Sequence, residues 1–249
     1  MNTAHDLTDS RVHYNIKRIA LPAAIGFFGH TLYNMTDTFY AGYINTAAQS
    51  ALTFSFPLYF LLLSCCVGLG QALTARIANA IGKKRYARAA YFLAQGIILS
   101  SIICLLIWLF LLPATSSIVT ALGGSGDAAA WATEYSRIIY LGSPLFLYAF
   151  MFNSALQAAG NATAFKNSVI ASVLLNIVLD PILMFGWLGL PAMGVAGVAL
   201  ATLLSQFVGG VYLFTVLNKT IVMHRWRWLF LRPRVEILLK LIKQATAPT

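Results

Sequence analysis

"LLNIVLDPILMFG", Leu174 to Gly186, is an apolar run interrupted by one carboxylic acid with a proline directly after it. Asn176 precedes Asp180 by four residues, so the two share a helix face. An aspartate at mid-membrane costs about 2.5–3.5 kcal/mol even on the lenient insertion scale, and such a cost marks an ion or proton path. Pro181 has no N–H, so the carbonyl of Ile177 loses its usual helical partner and the helix is expected to bend there. A freed carbonyl beside a carboxylate and an amide makes an all-oxygen site suited to a hard cation or a proton.

The rest of the chain fits a membrane setting for this run. Of 249 residues, 59% are hydrophobic and only 10% charged, against about 25% charged in a soluble domain. The fold class is therefore all-α, a polytopic membrane protein. Six runs are long enough to cross ~30 Å of hydrocarbon: Ile19–Tyr43, Ala51–Ala75, Ala89–Leu112, Ile138–Gln157, Ser168–Trp187 and Met193–Leu217. They form a six-helix bundle over residues 19–217, between a cytoplasmic segment 1–18 and a cytoplasmic basic linker 218–240. The polar N-terminus lacks a cleavage signal, so the first apolar run is read as a spanning helix. Cys65, Cys66 and Cys104 all lie inside apolar runs, as buried small residues rather than a disulfide framework or metal site.

Lys and Arg fix the orientation. Sixteen of the 17 fall in the alternate connections that include both termini, and only Arg137 falls on the other side. Positive charge stays inside, so both ends are expected in the cytoplasm of a bacterial inner membrane. The net charge of +10 thus follows topology and implies no nucleic-acid partner. "HRWRWLFLR", His224–Arg232, reads as a linker on lipid headgroups with Trp226 and Trp228 at the interface.

Asp37 is the second intramembrane acid. Counted from the outer helix ends at ~1.5 Å per residue, Asp37, Asp180 and Thr202 lie at one depth, about 10–13 Å in. Two acids brought together cannot both stay ionised, so one can take up a proton reversibly. Asn34, one turn from Asp37, is an accessory candidate. His30 reads as a packed polar residue, and "GLG", Gly68–Gly70, as close helix approach. The "NAT" at Asn161–Thr163 matches a glycosylation sequon only by accident, because this topology puts it in the cytoplasm. Pro22, Pro57 and Pro144 mark further kinks.

"IKRIALPA", Ile16–Ala23, repeats its Ile, Lys and Pro at identical spacing in "IKQATAPT", Ile242–Thr249. The first copy leads into a membrane helix, so residues 241–249 are read as the start of a truncated seventh helix, opening the second half of a duplicated transporter.

"IALPAAIG", "NMTDTFYAGY", "ARIANAIGKKRYARAA" and above all "NSALQAAGNATAFKNSVIASVLLNIVLDPILMFG…LPAMGVAGVALAT" resemble the multidrug and toxic compound extrusion (MATE) family of cation-coupled antiporters, in its DNA-damage-inducible-like branch. The resemblance implies twelve helices in two six-helix bundles, of which this chain is the amino-terminal one. It implies export of cationic or amphipathic small molecules in exchange for H⁺ or Na⁺, with no other cofactor and no metal beyond Na⁺ at the coupling site. It places that site on Asp37, Asn176, Asp180 and Thr202, and adds Tyr135, although the span estimate leaves Tyr135 near the surface. It also implies membrane lipids as partners, and a missing second half or a second copy. Two other classes compete. A related lipid-linked precursor flippase would line its cavity with basic residues, which these spans lack. An intramembrane aspartyl enzyme would share a proton between Asp37 and Asp180, but its Tyr-Asp and Gly-x-Gly-Asp contexts are absent, so the protein is not read as an enzyme.

Overall fold

The computed structural model describes residues 12–246. The helices are α1 Val12–Gly42, α2 Thr46–Gly82, α3 Tyr86–Leu106, α4 Leu112–Ala121, α5 Gly126–Leu141, α6 Ser143–Ala158, α7 Thr163–Phe185, α8 Gly194–Asn218, α9 Ile221–His224 and α10 Val235–Ala245. α2, α7, α8 and the unbroken run of α3 into α4 are each long and apolar enough to cross a membrane, and α5 with α6 makes a further crossing bent by 47°. At 31 residues, α1 reaches about 46 Å, more than the hydrocarbon requires. Five of the six runs read from the sequence fall on these candidate crossings, and the first, Ile19–Tyr43, falls on α1 and the turn after it.

Their ends differ from the sequence reading in two places. The third crossing continues past Leu112 to Ala121, through a π-helical turn at Ile107–Leu111. Pro113 stands just beyond that turn, and the wide π geometry accommodates its missing N–H without ending the helix. The fourth crossing begins at Gly126 rather than Ile138 and breaks at Gly142, just before Pro144. Its first half is too polar to register as a span. Yet Ala132, Tyr135, Ser136, Ile139 and Tyr140 are buried at helical spacing, one inward stripe. At the break, a Cβ on Gly142 would lie 2.2 Å from Leu203 Cδ2, so glycine lets α8 press into the bend.

α2 is the hub, packing against α1, α3, α5, α6 and α10. Asn45 caps its start, Oδ1 accepting the Ala48 N–H at 2.8 Å. Small residues set the closest approaches. A Cβ on Gly26 or Gly29 of α1 would meet Phe165 or Val169 of α7 at 2.3 and 2.2 Å. Gly68 faces Ala245 of α10, and Gly70 faces Ser154 of α6. Asn161 of the "NAT" triplet serves the fold, its Oδ1 accepting the Ala164 N–H at the start of α7. Cys65, Cys66 and Cys104 are free thiols.

The basic linker is more ordered than a surface coil. Buried Gln95 on α3 donates to the carbonyls of Phe230 and Arg232, each at 2.9 Å, and accepts the Arg234 N–H at 3.0 Å. Trp226 packs against the core, whereas Trp228 is 81% exposed. Of residues 241–249, read as the start of a seventh helix, 241–245 form the end of α10, which starts at Val235 and packs along α2. Pro248 of the repeat, and the side chains of Pro22 and His30, lie outside the described residues.

Candidate functional site

Four helices, α1, α5, α7 and α8, meet around the two intramembrane acids. Asp37 on α1 is 2% exposed and Asp180 on α7 is 0% exposed. The Tyr135 hydroxyl, from α5, donates to Asp37 Oδ2 at 3.2 Å, and the Thr202 hydroxyl, from α8, donates to the same oxygen at 3.3 Å. One turn below Asp180, Asn176 Nδ2 donates to its Oδ1 at 2.9 Å. The two carboxyls are close neighbours, and Asn176 also borders Asp37.

Three oxygens in this cluster, Asp37 Oδ1, Asn176 Oδ1 and Asp180 Oδ2, are buried and take no donor from the described residues. Buried acceptors are almost always satisfied, so three together on converging side chains form an acceptor-rich pocket suited to a small cation or a proton. Among the described residues no lysine or arginine pairs with either acid. Nor do three His, Cys, Asp or Glu side chains converge anywhere among them as a metal cluster would require.

Most of the site residues expected from the sequence therefore come together: Asp37, Asn176, Asp180 and Thr202, with Tyr135. Tyr135 is 3% exposed, inside the bundle rather than near its surface, because the fourth crossing starts twelve residues before Ile138. Asn34 is half-buried one turn from Asp37, and its carbonyl accepts the Thr38 hydroxyl at 2.7 Å. The expected role of the Ile177 carbonyl needs correction. Pro181 does free it, but it accepts the Tyr40 hydroxyl at 3.3 Å on the exposed side of the α1–α7 seam. Tyr40, three residues after Asp37, was not singled out from the sequence, because nothing in its spacing signals a bond to a carbonyl 137 residues away.

The acids also continue a polar stripe. Ser168, Ser172, Asn176 and Asp180 recur every four residues on α7, all buried. Ser168 and Ser172 donate to the carbonyls of Gly209 and Ser205 on α8 at 3.0 and 2.9 Å. The spacing was visible in the sequence, but the partners are backbone atoms, which carry no sequence signal.

A bent, multi-pass helical bundle built around a buried acid pair is a membrane-protein architecture. The MatE family model matches residues 22–182, and the chain belongs to that family. It is 26% identical over 213 residues to an FAD transporter of Shewanella oneidensis, covering 84% of this chain and 46% of that protein. It is 26% identical over 212 residues to the multidrug export protein MepA of Staphylococcus haemolyticus, covering 85% and 46%. A MATE crystal structure in a bent conformation superposes with a TM-score of 0.84 at 29% identity, covering 94% of this chain and 51% of that one. A transporter of the MOP superfamily from Pyrococcus furiosus gives 0.81 at 30%, covering 93% and 50%. The chain spans about half the length of the relatives it matches.

Proposed function

We propose that this chain is the cation-receiving, amino-terminal bundle of a secondary active exporter in a bacterial inner membrane, with both ends in the cytoplasm. The observation that carries the reading is the contact of Asp37 with Tyr135, Thr202 and Asp180, from three other helices, around acceptor oxygens without donors. H⁺ or Na⁺ entering from outside binds this acid pair. Binding can drive a conformational change only if it favours one arrangement over another. α1 and α7 are the elements to shift, because each supplies one acid and the small residues Gly26 and Gly29 leave their seam closely packed. The solutes are bulky cationic or amphipathic molecules, and their cavity needs a second bundle, supplied by a second half or another copy.

The test is Asp180→Asn in the complete transporter, with efflux of a cationic dye driven by an imposed H⁺ or Na⁺ gradient. Asparagine keeps the shape but cannot carry the charge, so gradient-driven efflux should vanish under both gradients. Efflux at the parental rate under either gradient would refute the assignment. FAD supplied in place of the dye shows whether the solute resembles that named for the Shewanella relative.

A further inference from the structure

At the end of the bundle opposite the acid pair, α2, α3 and α10 enclose an open recess of about 410 Å³, lined in part by Arg76, Lys83, Arg85, Arg88, Phe92 and Gln244. Four of these side chains are cationic. None pairs with a carboxylate among the described residues. Glu236, the acid on α10, is engaged by Lys240, whose hydrogen bond holds its carboxyl below the usual range.

The arrangement is electrostatically one-sided. The guanidiniums of Arg76 and Arg88 both lie over the Phe92 ring, 5.9 and 5.6 Å from its centroid. Ring stacking orients two like charges but does not neutralise them. Arg85 is the N-cap of α3 and Arg88 stands in its first turn, with no acidic residue there and no side-chain cap. A helix N-terminus carries partial positive charge and prefers anions, so these arginines stand where cations are disfavoured. Arg76 donates from Nη2 to the Lys240 carbonyl at 3.2 Å, yet its Nε is buried without a partner among the described residues. Cations at a helix N-terminus, a buried unpaired guanidinium N–H and an open recess all call for one anion.

We propose that this recess binds the phosphate headgroup of an anionic membrane lipid. At 37 residues, α2 is about 55 Å long, so with ~30 Å of hydrocarbon to cross its last turns stand at headgroup level. Basic recesses between helices at that level suit lipid phosphates. Phosphate accepts from several guanidinium N–H groups at once, and the Phe92 ring forms an apolar wall beside it. Soluble phosphate offers the same oxygens without an acyl chain, so the two sources can be told apart.

The 249-residue chain, purified in neutral detergent, is titrated with phosphatidylglycerol or phosphatidylcholine, and bound lipid is counted by native mass spectrometry. One phosphatidylglycerol should bind saturably, with phosphatidylcholine at least about tenfold weaker. Arg76→Gln with Arg88→Gln should weaken phosphatidylglycerol by roughly a hundredfold, about tenfold for each charge-assisted contact. Arg225→Gln with Arg227→Gln removes the same charge from the linker and should leave binding intact. Lys83→Gln, at an exposed position, serves if the double variant does not fold, and should lose about tenfold. Equal weakening by the linker pair, unchanged binding in the recess variants, or inorganic phosphate displacing the lipid at comparable concentration would each overturn the proposal. So would phosphatidylglycerol binding here but not to the complete transporter, which would make the recess a contact with the other half. None of these readouts depends on the acid pair, so the proposal stands or falls apart from the proposed transport.

Discussion

Two glycines of α8 offer a controlled test of how the acid cluster is held. A Cβ on Gly197 would lie 2.7 Å from both the carbonyl carbon and oxygen of Leu183, and 2.9 Å from the Met184 nitrogen. These are backbone atoms of the last turns of α7, directly after Asp180, and they cannot rotate away. A Cβ on Gly210 would meet only Ala149 Cβ, at 3.7 Å, an ordinary contact. Both glycines lie within α8, so alanine at either gains up to about 1 kcal/mol of helix propensity. Restoring ordinary contact at residue 197 requires α8 to retreat from α7 by about 0.7 Å. Thr202 lies just over a turn further along α8, so the same retreat disturbs its 3.3 Å bond to Asp37 on α1.

Overpacking of this kind costs about 1–3 kcal/mol. Gly197→Ala should therefore be net destabilising by about 1–2 kcal/mol, and Gly210→Ala neutral or stabilising by up to about 1 kcal/mol. For a chain of this size that separates the two melting temperatures by roughly 2–12 °C. The buried free thiols Cys66 and Cys104 supply the assay, since a thiol-reactive dye fluoresces as the detergent-solubilised bundle opens. In the complete transporter Gly197→Ala should also impair cation-driven efflux, although it removes no polar atom. Equal melting temperatures, or a more stable Gly197→Ala, would refute the claim that backbone contact between α7 and α8 sets the site geometry.

Tyr135→Phe and Thr202→Val each delete one donor to Asp37 Oδ2 and should each destabilise the bundle by about 1–2 kcal/mol. Because both hydroxyls serve one oxygen, their effects should be non-additive by at least about 0.5 kcal/mol in a double-mutant cycle; strict additivity would show that they do not share it. Gln95→Leu removes three hydrogen bonds to the linker, about 3 kcal/mol. Trypsin should then cut between Arg225 and Arg234 roughly a hundredfold faster by local opening, and an unchanged rate would show that the linker is held elsewhere.

What the sequence revealed and what it hid follow a physical line. The crossings were legible because each needs about 20 apolar residues whatever its neighbours do. Asp37, Asp180 and Thr202 were legible as a group because helix rise is constant, so residue counts become depths. The polar half of the fourth crossing was not. "GDAAAWATEYSR" is too hydrophilic for a span because Asp127, Glu134 and Arg137 lie on its exposed face, and α6 completes the crossing beyond a bend. Its inward stripe of Ala132, Tyr135 and Ile139 gave a periodicity signal that an average over hydropathy erases. The fate of the Ile177 carbonyl was illegible for another reason. Proline shows that a carbonyl is freed, but a donor such as Tyr40 is chosen by helix rotation, which one-dimensional spacing does not encode.

The segregation of charge explains how an acid pair can persist in such a core and remain usable. A buried aspartate beside a fixed arginine would form a permanent pair, and breaking it would cost several kcal/mol. Here no cation among the described residues contacts Asp37 or Asp180. Arg137, two residues beyond Tyr135, points outward and is exposed. The basic side chains of the recess lie near the far end of α2, with most of that helix's length between. At ~1.5 Å per residue that is tens of ångströms, too far for any of them to form an ion pair with either acid. What holds the acids instead is a set of neutral donors, Tyr135, Thr202 and Asn176, which stabilise a carboxylate without cancelling its charge. Under the proposed function, an arriving cation meets no resident competitor among the described residues, and on leaving it strands no unpaired arginine. Neutral donors around the acids, with the fixed positive charge held at the other end of the bundle, are what reversible occupancy of this site requires.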